Sequence, residues 1–242
     1  LNIKGGTFTN ATDWYTLYVK NTYGNPTLNI SGGTISNTCT TNTNGSYGIY
    51  GANAATVNIS GNPTISGLSE NGLYTANGST VTINGNPTID GGTGVAWYAN
   101  GGTLKIYGGT FRSTNANSML NVGNLSVYGG YFDCPADVKG VLSYGSATLY
   151  GGTFNDPNTT DEYCKLAAGY VFDDNGDGTY TINNPTTINR SDWYTNYNNV
   201  KNNINAINKK YDDTKEKNND LLNIKTNQGL KFITGTCAMN DG

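Results

Sequence analysis

One segment of eight or nine residues occurs in seven copies before residue 155, and this repeat constrains the fold more than any other feature. Each copy has an apolar-polar-apolar-polar run, a Gly-Gly or Gly-Asn-Pro corner, and then Thr and another apolar residue. The period falls from 27 and 29 residues in the first copies to between 21 and 24 in the later ones. Alternation followed by a glycine corner predicts a short strand, a bend and a second strand in each copy.

A third apolar position, which precedes each copy from the second onward, completes the unit. These positions are Leu17, Ile49, Leu73, Ala96, Leu120 and Leu142. Three short strands and three corners predict one triangular coil. Coils stacked about 4.8 Å apart would pair every strand with its counterparts above and below. We therefore predict an all-β fold in which residues 1–155 form a parallel β-helix (solenoid) of about seven coils.

Columns of apolar side chains should fill the interior of this solenoid. The columns from the repeated segment are Leu1, Leu28, Val57, Val81, Leu104, Leu125 and Ala147; Ile3, Ile30, Ile59, Ile83, Ile106, Val127 and Leu149; and Phe8, Ile35, Ile65, Ile89, Phe111, Phe132 and Phe154. Within each column, similar apolar side chains from successive coils pack against one another. A polar substitution at Ile83 should therefore cost far more stability than one at Thr82, which points outward.

The composition suits a repetitive surface-exposed rod better than an ordinary globule. Hydrophobic residues make up only 36% of the chain and charged residues 13%, whereas there are 33 Gly and 18 Tyr. The basic residues of the solenoid are few and scattered, so nucleic acid is not an expected partner. No apolar run approaches the length of a membrane span. Because the chain starts inside a repeat, we interpret it as a fragment or processed piece of a longer, exported protein.

Cysteine and histidine usage predicts no metal site. Cys39, Cys134, Cys164 and Cys237 lie far apart, and the chain contains no histidine. Isolated thiols are the favoured interpretation; a structural disulfide is the alternative, and four cysteines allow three connectivities. No cofactor is expected.

The LxIxGGTF units, closed by residues 151–182 (GGTFNDPNTTDEYCKLAAGYVFDDNGDGTYTI), resemble the right-handed parallel β-helix repeats of the pectate-lyase-like superfamily, as found in surface proteins of low-GC gut bacteria and their phages. The resemblance covers about three quarters of the chain. It implies a right-handed coil and a closing hairpin or cap over residues 156–190. It implies no activity, because that superfamily contains lyases, hydrolases, adhesins and tailspikes.

The composition changes at Ser191 to Asn, Lys and Asp with apolar residues on a 4-3 spacing. The successive d and a positions are Trp193, Tyr197, Val200, Ile204, Ile207, Tyr211, Thr214, Asn218 and Leu221. This pattern predicts a coiled-coil helix over residues 191–225 with Ser191 as its N-cap. Ile at both a and d favours three strands, so we predict a homotrimer through residues 193–221. An amphipathic helix docked on the solenoid is the alternative.

The chain has a predicted solenoid, then a predicted helix (SDWxxxxNNVxxxI) and then a GLKFITGTCAMNDG segment. This order of elements resembles that of phage tail-fibre and tail-tip proteins. In those proteins a helix opened by Trp leads into a small β domain, which residues 226–242 would begin. The resemblance implies an extracellular, trimeric receptor-binding segment of a virion tail. A bacterial cell-surface adhesin is the alternative, and a polysaccharide-degrading tailspike enzyme is the third possibility.

Carboxylates are the only candidates for general acid–base catalysis, because histidine is absent. Asp90 and Asp133 alone fall in one column at a separation that a glycosidase pair would need, and Arg112 lies between them. We interpret Asp90, Arg112 and Asp133 as a surface charge ladder rather than a catalytic or saccharide site. The sequence thus predicts a protein that is not an enzyme.

A short acidic segment matches the first half of an EF-hand loop at Asp173, Asn175, Asp177 and Gly178. No helices flank it, and Asn184 stands where the twelfth residue of such a loop should be a glutamate. A hairpin turn between two strands is therefore favoured over a calcium site.

Two outward aromatic columns are the candidate ligand sites. Tyr18, Tyr50, Tyr74 and Trp97 fall on consecutive coils after the inward residue of the third strand, and Tyr107, Tyr128 and Tyr150 fall on later coils. Sugars present apolar C–H faces beside hydroxyl edges, so rings spaced about 4.8 Å apart on a surface of Asn, Thr and Ser would suit a carbohydrate. Aromatic ladders also stabilise stacked strands, and the two roles are compatible. We predict that the partner is a cell-surface carbohydrate.

Overall fold

The structure is a computed structural model that describes residues 1–19, 24–40, 45–185 and 190–212. The chain divides into two compact units, Leu1–Pro185 and Thr186–Gly242. The first unit carries every strand of the described chain, and the described part of the second is a helix.

The first unit is built from short strands that recur in sets of three. In chain order they are β1 (Asn2–Ile3), β2 (Thr7–Asn10), β3 (Trp14–Val19), β4 (Thr27–Ile30), β5 (Thr34–Asn37), β6 (Ser46–Gly51), β7 (Thr56–Ile59), β8 (Thr64–Gly67), β9 (Asn71–Thr75), β10 (Thr80–Ile83), β11 (Thr88–Asp90), β12 (Val95–Ala99), β13 (Thr103–Ile106), β14 (Thr110–Arg112), β15 (Met119–Asn121), β16 (Asn124–Val127), β17 (Tyr131–Asp133), β18 (Val141–Ser143), β19 (Ser146–Leu149), β20 (Thr153–Phe154), β21 (Cys164–Leu166), β22 (Val171–Asp174) and β23 (Tyr180–Asn183). A short 3₁₀ helix, Pro157–Thr159, lies between β20 and β21.

These strands stack into three sheets along the solenoid. Sheet A has the order β1-β4-β7-β10-β13-β16-β19-β21, sheet B the order β2-β5-β8-β11-β14-β17-β20-β23-β22, and sheet C the order β18-β15-β12-β9-β6-β3. Each sheet takes one strand per turn, which gives six complete turns and a seventh copy that adds only β19 and β20. The predicted parallel β-solenoid is confirmed with about six turns. Its right-handed sense stays a prediction.

The repeat copies pair in the register that the sequence predicts. Val81 pairs with Val57 and Leu104, and all three side chains are buried. The first turn differs, since Leu1 and Phe8 are 66% and 43% exposed. Strands β1 and β2 are the outermost strands of their sheets in the described chain, so their side chains have neighbours on one side only.

The inward column of sheet C was predicted one residue out of place in three turns. The observed column is Leu17, Ile49, Leu73, Trp97, Met119 and Val141. Each of the predicted positions Ala96, Leu120 and Leu142 is next to the true one. A one-residue slip exchanges the two faces of a strand, and these strands lack the repeated motif that fixes the register of sheets A and B. At Ala96 the strand departs from simple alternation, because Ala96 and Trp97 are both completely buried.

The Gly-Gly corners stack on one another, as the repeat predicts. Gly33 has a φ of +93°, and a Cβ placed there would lie 2.7 Å from the carbonyl oxygen of Gly6 in the turn before. Only glycine fits a corner that combines positive φ with this close backbone approach. The amide of Thr34 donates to the same Gly6 oxygen at 2.9 Å, so each corner is hydrogen-bonded to the previous one.

An antiparallel hairpin, formed by β22 and β23, closes the end of sheet B, and β23 pairs with β20. Phe172 meets the ring of Phe154, the last of the stacked core phenylalanines, edge-on at 5.9 Å. At the hairpin turn Asp174 accepts a hydrogen bond from the amide of Gly176, and Asp177 accepts one from Thr179. The favoured hairpin is thus confirmed. Within the described ranges no cluster of His, Cys, Asp or Glu could hold a metal ion.

No disulfide joins any two of the three described cysteines. Cys134 and Cys164 are buried thiols, and burial raises the pKa of Cys164 to about 12. Such a thiol stays protonated and unreactive at neutral pH. Cys237 lies outside the described residues.

The predicted C-terminal helix is present as α1 (Arg190–Asp212), which begins one residue before the predicted N-cap Ser191. A coiled coil is not shown. The heptad positions Thr214, Asn218 and Leu221, and the β domain predicted for residues 226–242, lie outside the described residues. Of the helices in the described ranges, none is both long and apolar enough to cross a membrane.

Candidate functional site

The outward face of sheet C carries a row of tyrosines in strand register. Tyr18 pairs with Tyr50, Tyr50 with Tyr74, and Tyr74 with Tyr98, one residue on each of four consecutive turns. Tyr18, Tyr50 and Tyr74 therefore form the column that the sequence predicts. The fourth member is Tyr98 rather than Trp97.

The prediction that Trp97 belongs to this outward column is wrong. Its side chain is completely buried, and it packs beside Phe111 with the two rings nearly parallel. The indole nitrogen donates to Thr75 Oγ1 at 3.0 Å, which satisfies the only polar group of the buried ring. The error follows from assigning Ala96 to the inward position, because Trp97 then falls on the outward side.

Tyr15 and Tyr47 widen the row, and the sequence analysis missed both. They are strand partners on the first two turns. The ring of Tyr15 lies 4.4 Å from that of Tyr18, and the ring of Tyr47 lies 5.5 Å from that of Tyr50. We call Tyr15, Tyr18, Tyr47, Tyr50, Tyr74 and Tyr98 the sheet C cluster.

The signal that could have found these two residues is a Tyr-x-x-Tyr spacing in successive copies, at Tyr15 and Tyr18 and again at Tyr47 and Tyr50. In a regular strand an odd spacing would put the two rings on opposite faces. These strands depart from that alternation, and Gly48, where a Cβ would lie 2.6 Å from the Gly72 carbonyl oxygen, is buried beside the buried Ile49. The backbone packs closely there, and both rings stay on the outer face.

Most neighbouring rings of the sheet C cluster are tilted against each other. The interplanar angles are 36° for Tyr15–Tyr18, 73° for Tyr18–Tyr50, 78° for Tyr47–Tyr50, 61° for Tyr47–Tyr74 and 83° for Tyr74–Tyr98. One pair, Tyr50–Tyr74, is stacked, with an angle of 18°. A tilted ring does not cover the whole face of its neighbour, so parts of the ring faces stay free of other tyrosines. Tyr18 is 38% exposed, and the other five residues are partly buried.

The second predicted column has a different arrangement. Tyr107, Tyr128 and Tyr150 follow sheet A strands directly before Gly-Gly corners, and we call them the corner ladder. Their centroids are 4.9 and 4.8 Å apart, and their planes differ by 8° and 10°. Each ring is 36% to 46% exposed, but in a parallel stack the faces cover one another. This column therefore presents ring edges and hydroxyl groups, rather than ring faces, to a ligand.

Two polar side chains lie at the edge of the sheet C cluster. Asn100 Nδ2 donates to the Tyr74 hydroxyl at 3.0 Å, and the Tyr47 hydroxyl donates to Glu70 Oε1 at 3.0 Å. Burial, and then the charge of Glu70, raise the pKa of Tyr47 above its ordinary value, so the phenol keeps its proton and acts as a donor. Burial also raises the pKa of Tyr50. The surface therefore combines aromatic faces with fixed hydrogen-bonding groups.

The charged column on sheet B has the geometry of the predicted ladder. Asp90, Arg112 and Asp133 are neighbours on successive strands. Arg112 Nε binds Asp133 Oδ2 at 2.9 Å, and Asp90 Oδ1 accepts the amide of Gly92 at 2.7 Å. Both carboxylates make local structural bonds. The non-enzymatic assignment stays a prediction.

No family model matches the chain, and no match was found among curated proteins or solved structures. The fold itself defines the class of protein, a parallel β-solenoid. Because one fold serves unrelated functions, including enzymatic and non-enzymatic ones, the function has to be argued from the surface of this chain.

Proposed function

We propose that the chain binds a cell-surface carbohydrate through the sheet C cluster without catalysing a reaction. One observation carries the proposal: six tyrosine rings lie on one outward sheet face, and most of them are tilted rather than stacked. The C–H faces of a pyranose pack on such rings, and its hydroxyl groups meet the phenol and amide groups around them.

The arrangement also keeps the conformational cost of binding low. A tyrosine offers a large amphipathic surface that is ordered by only two side-chain torsions. The Tyr74 hydroxyl is held by Asn100, and the Tyr47 hydroxyl by Glu70. Because these groups are already fixed by the strands and by hydrogen bonds, a ligand loses less binding free energy to side-chain ordering.

The test compares the two tyrosine columns on a glycan array. We expect the double variant Tyr50→Ala/Tyr74→Ala to lose binding, and its matched control Tyr107→Ala/Tyr128→Ala to bind as the wild type does. Both variants remove two neighbouring outward rings, so they differ only in the column that is affected. Loss of binding in the control alone would move the site to the corner ladder, and unchanged binding in both would refute a tyrosine site.

For the assembly, we propose an extracellular homotrimer through residues 193–221, as part of a phage tail fibre, with a bacterial surface adhesin as the alternative. What supports it is the pattern along α1. Tyr197, Val200 and Ile204 are partly buried, at the predicted 3-4 spacing, whereas the residues between them are exposed. A helix rich in Asn and Lys has low stability by itself, and such a stripe gains stability from partner helices.

The double variant Ile204→Asp/Ile207→Asp tests the trimer. We expect sedimentation to show a trimer for the wild type and a monomer for the variant, because two carboxylates in a trimer axis would be buried without partners. The control is Asn205→Asp/Lys201→Asp, which adds carboxylates at exposed positions of the same helix. A wild-type chain that is already monomeric at high concentration would contradict the tail-fibre proposal.

A further inference from the structure

Glu70 lies beside the sheet C cluster, in the turn immediately before β9. Its Oε1 accepts the hydrogen bond from Tyr47, whose ring contacts those of Tyr50 and Tyr74. Its Oε2 is shielded from solvent and has no hydrogen-bond partner. A carboxylate with spare acceptor capacity is therefore built into the edge of an aromatic surface.

Among the described residues, no Lys or Arg forms an ion pair with this carboxylate. The two ion pairs of the described chain are Arg112–Asp133 and Lys139–Asp161, and neither involves Glu70. The described strands of sheet C, β3, β6, β9, β12, β15 and β18, contain no Lys or Arg. Holding a partly buried carboxylate without a counter-charge is unfavourable, because burial weakens its hydration.

The backbone around Glu70 is shaped to accept its side chain. Gly45 has a φ of +90°, and a Cβ at this position would overlap Glu70 Oε2. A residue other than glycine would be strained there and would displace the carboxylate. Gly45 in the second turn therefore leaves the space that the Glu70 side chain of the third turn occupies.

The rings beside Glu70 add to its negative potential. An aromatic face carries a partial negative charge from its quadrupole and attracts cations that lie within about 6 Å of the ring centre. Tyr47 meets the stacked pair Tyr50 and Tyr74 at 78° and 61°, so partly exposed rings lie next to the carboxylate. Both features favour a positively charged group on the ligand, and no anionic ligand would gain from them.

We infer that the ligand of the sheet C cluster is a saccharide polymer that carries free ammonium groups, as in a de-N-acetylated amino sugar, with Glu70 as the residue that selects the charge. The inference rests on the proposed function and names its substrate class. The cluster covers four turns, about 14 Å along the solenoid, which suits several units of an extended oligomer. The sugar rings lie on the tyrosines, and one ammonium group lies on the ring faces beside Tyr47, where the negative charge of Glu70 attracts it.

Two oligosaccharides that differ only at the 2-amino group of each sugar unit test this inference. A β-linked glucosamine oligomer carries ammonium groups, and an N-acetylglucosamine oligomer of the same linkage and length is neutral. We expect the wild type to bind the charged oligomer about tenfold more tightly or better, which is the scale of one charge-assisted contact. Raising the ionic strength should reduce this preference.

The variant Glu70→Gln preserves the size of the side chain and removes its charge. We expect it to bind both oligomers with equal affinity, whereas Glu162→Gln should keep the wild-type preference. Glu162 is an exposed carboxylate just before β21, far along the solenoid from the cluster, and its loss changes the net charge by the same amount. The salt dependence of the wild type provides a second measurement that does not depend on the variant's folding.

The outcomes separate this inference from the proposed function. Equal wild-type affinity for the two oligomers, or a preference that persists in Glu70→Gln, would overturn the ammonium assignment and leave carbohydrate binding standing. Binding to a lysine-rich peptide but to neither oligomer would also overturn it. A wild-type chain that binds no glycan on an array would overturn both.

Discussion

The sheet C cluster and the corner ladder contain the same residue type on the same solenoid, yet their rings are arranged differently. In the corner ladder one tyrosine per turn precedes a Gly-Gly pair, and the rings stack within 10° of parallel. In the sheet C cluster two of the turns carry two tyrosines each, and most neighbouring rings are tilted by 36° or more. One ring per turn fits the strand spacing, whereas two rings compete for the same surface.

In our proposal this difference separates a stabilising role from a binding role. A parallel stack gains free energy from each ring pair and exposes mainly edges, so it strengthens the turns that carry it. A tilted cluster leaves faces open, and these gain their partners when a ligand binds. A column of exposed tyrosines in a β-solenoid is therefore not in itself a ligand site, and the ring angles are what distinguish the two cases.

The largest effect should come from the inner side of the sheet C surface. Trp97→Ala removes a completely buried ring and its hydrogen bond to Thr75, and we expect it to lower the free energy of unfolding by about 3 to 5 kcal/mol. Tyr98→Ala, one residue away on the outer face, should cost less than about 1 kcal/mol. Urea denaturation measures both. A larger cost for Tyr98→Ala than for Trp97→Ala would mean that the two faces of β12 are assigned the wrong way round.

A smaller effect is expected from the corner ladder. Tyr128→Ala removes two stacked contacts, each of about 0.5 to 1.5 kcal/mol, so stability should fall by about 1 to 3 kcal/mol while glycan binding is retained. The control is Tyr144→Ala, because Tyr144 is 64% exposed and should change stability by no more than about 0.5 kcal/mol. A Tyr128→Ala protein that keeps full stability but loses binding would reverse the roles of the two columns.

The sequence predicts sheets A and B well because their strands share one motif with a fixed glycine corner. Columns such as Val57, Val81 and Leu104 are in the predicted register, and the corner ladder is in place. Sheet C lacks such a motif, and alternation around Ala96 and Trp97 allows two registers. Both side chains are completely buried, and the indole takes the column position, where it fills more of the core than a methyl group would.

The candidate site was only partly predictable for the same reason. Tyr18, Tyr50 and Tyr74 follow from the repeat, but Tyr15 and Tyr47 share their face because the strands depart from simple alternation between each Tyr pair. The ring angles depend on contacts between turns, which no pattern within one repeat contains. Glu70 is a single carboxylate in a corner and has no counterpart in the other copies, so the repeat gives no sign of its contact with Tyr47.

The smallest expected effect concerns the titration of Tyr47, whose pKa is raised by burial first and by the charge of Glu70 second. A raised pKa means that the folded protein holds this proton more tightly than the unfolded chain does. The resulting stability is fully present below the ordinary value of 10.0 and is lost as the pH rises above it towards the folded value. The wild type should therefore lose stability above pH 10 more steeply than Tyr47→Phe, which has no proton to lose.

Glu70→Gln isolates the electrostatic part of this shift. Its neutral amide removes the second cause and leaves burial in place, so the pKa of Tyr47 should fall towards 10.0 without reaching it. The difference in phenolate absorbance between each protein and its Tyr47→Phe counterpart follows this single residue during an alkaline titration. Identical curves with and without the Glu70 charge would show that the carboxylate does not act on the ring face beside it. The electrostatic distinction between the sheet C cluster and the corner ladder would then be lost, and only the difference in ring angles would remain.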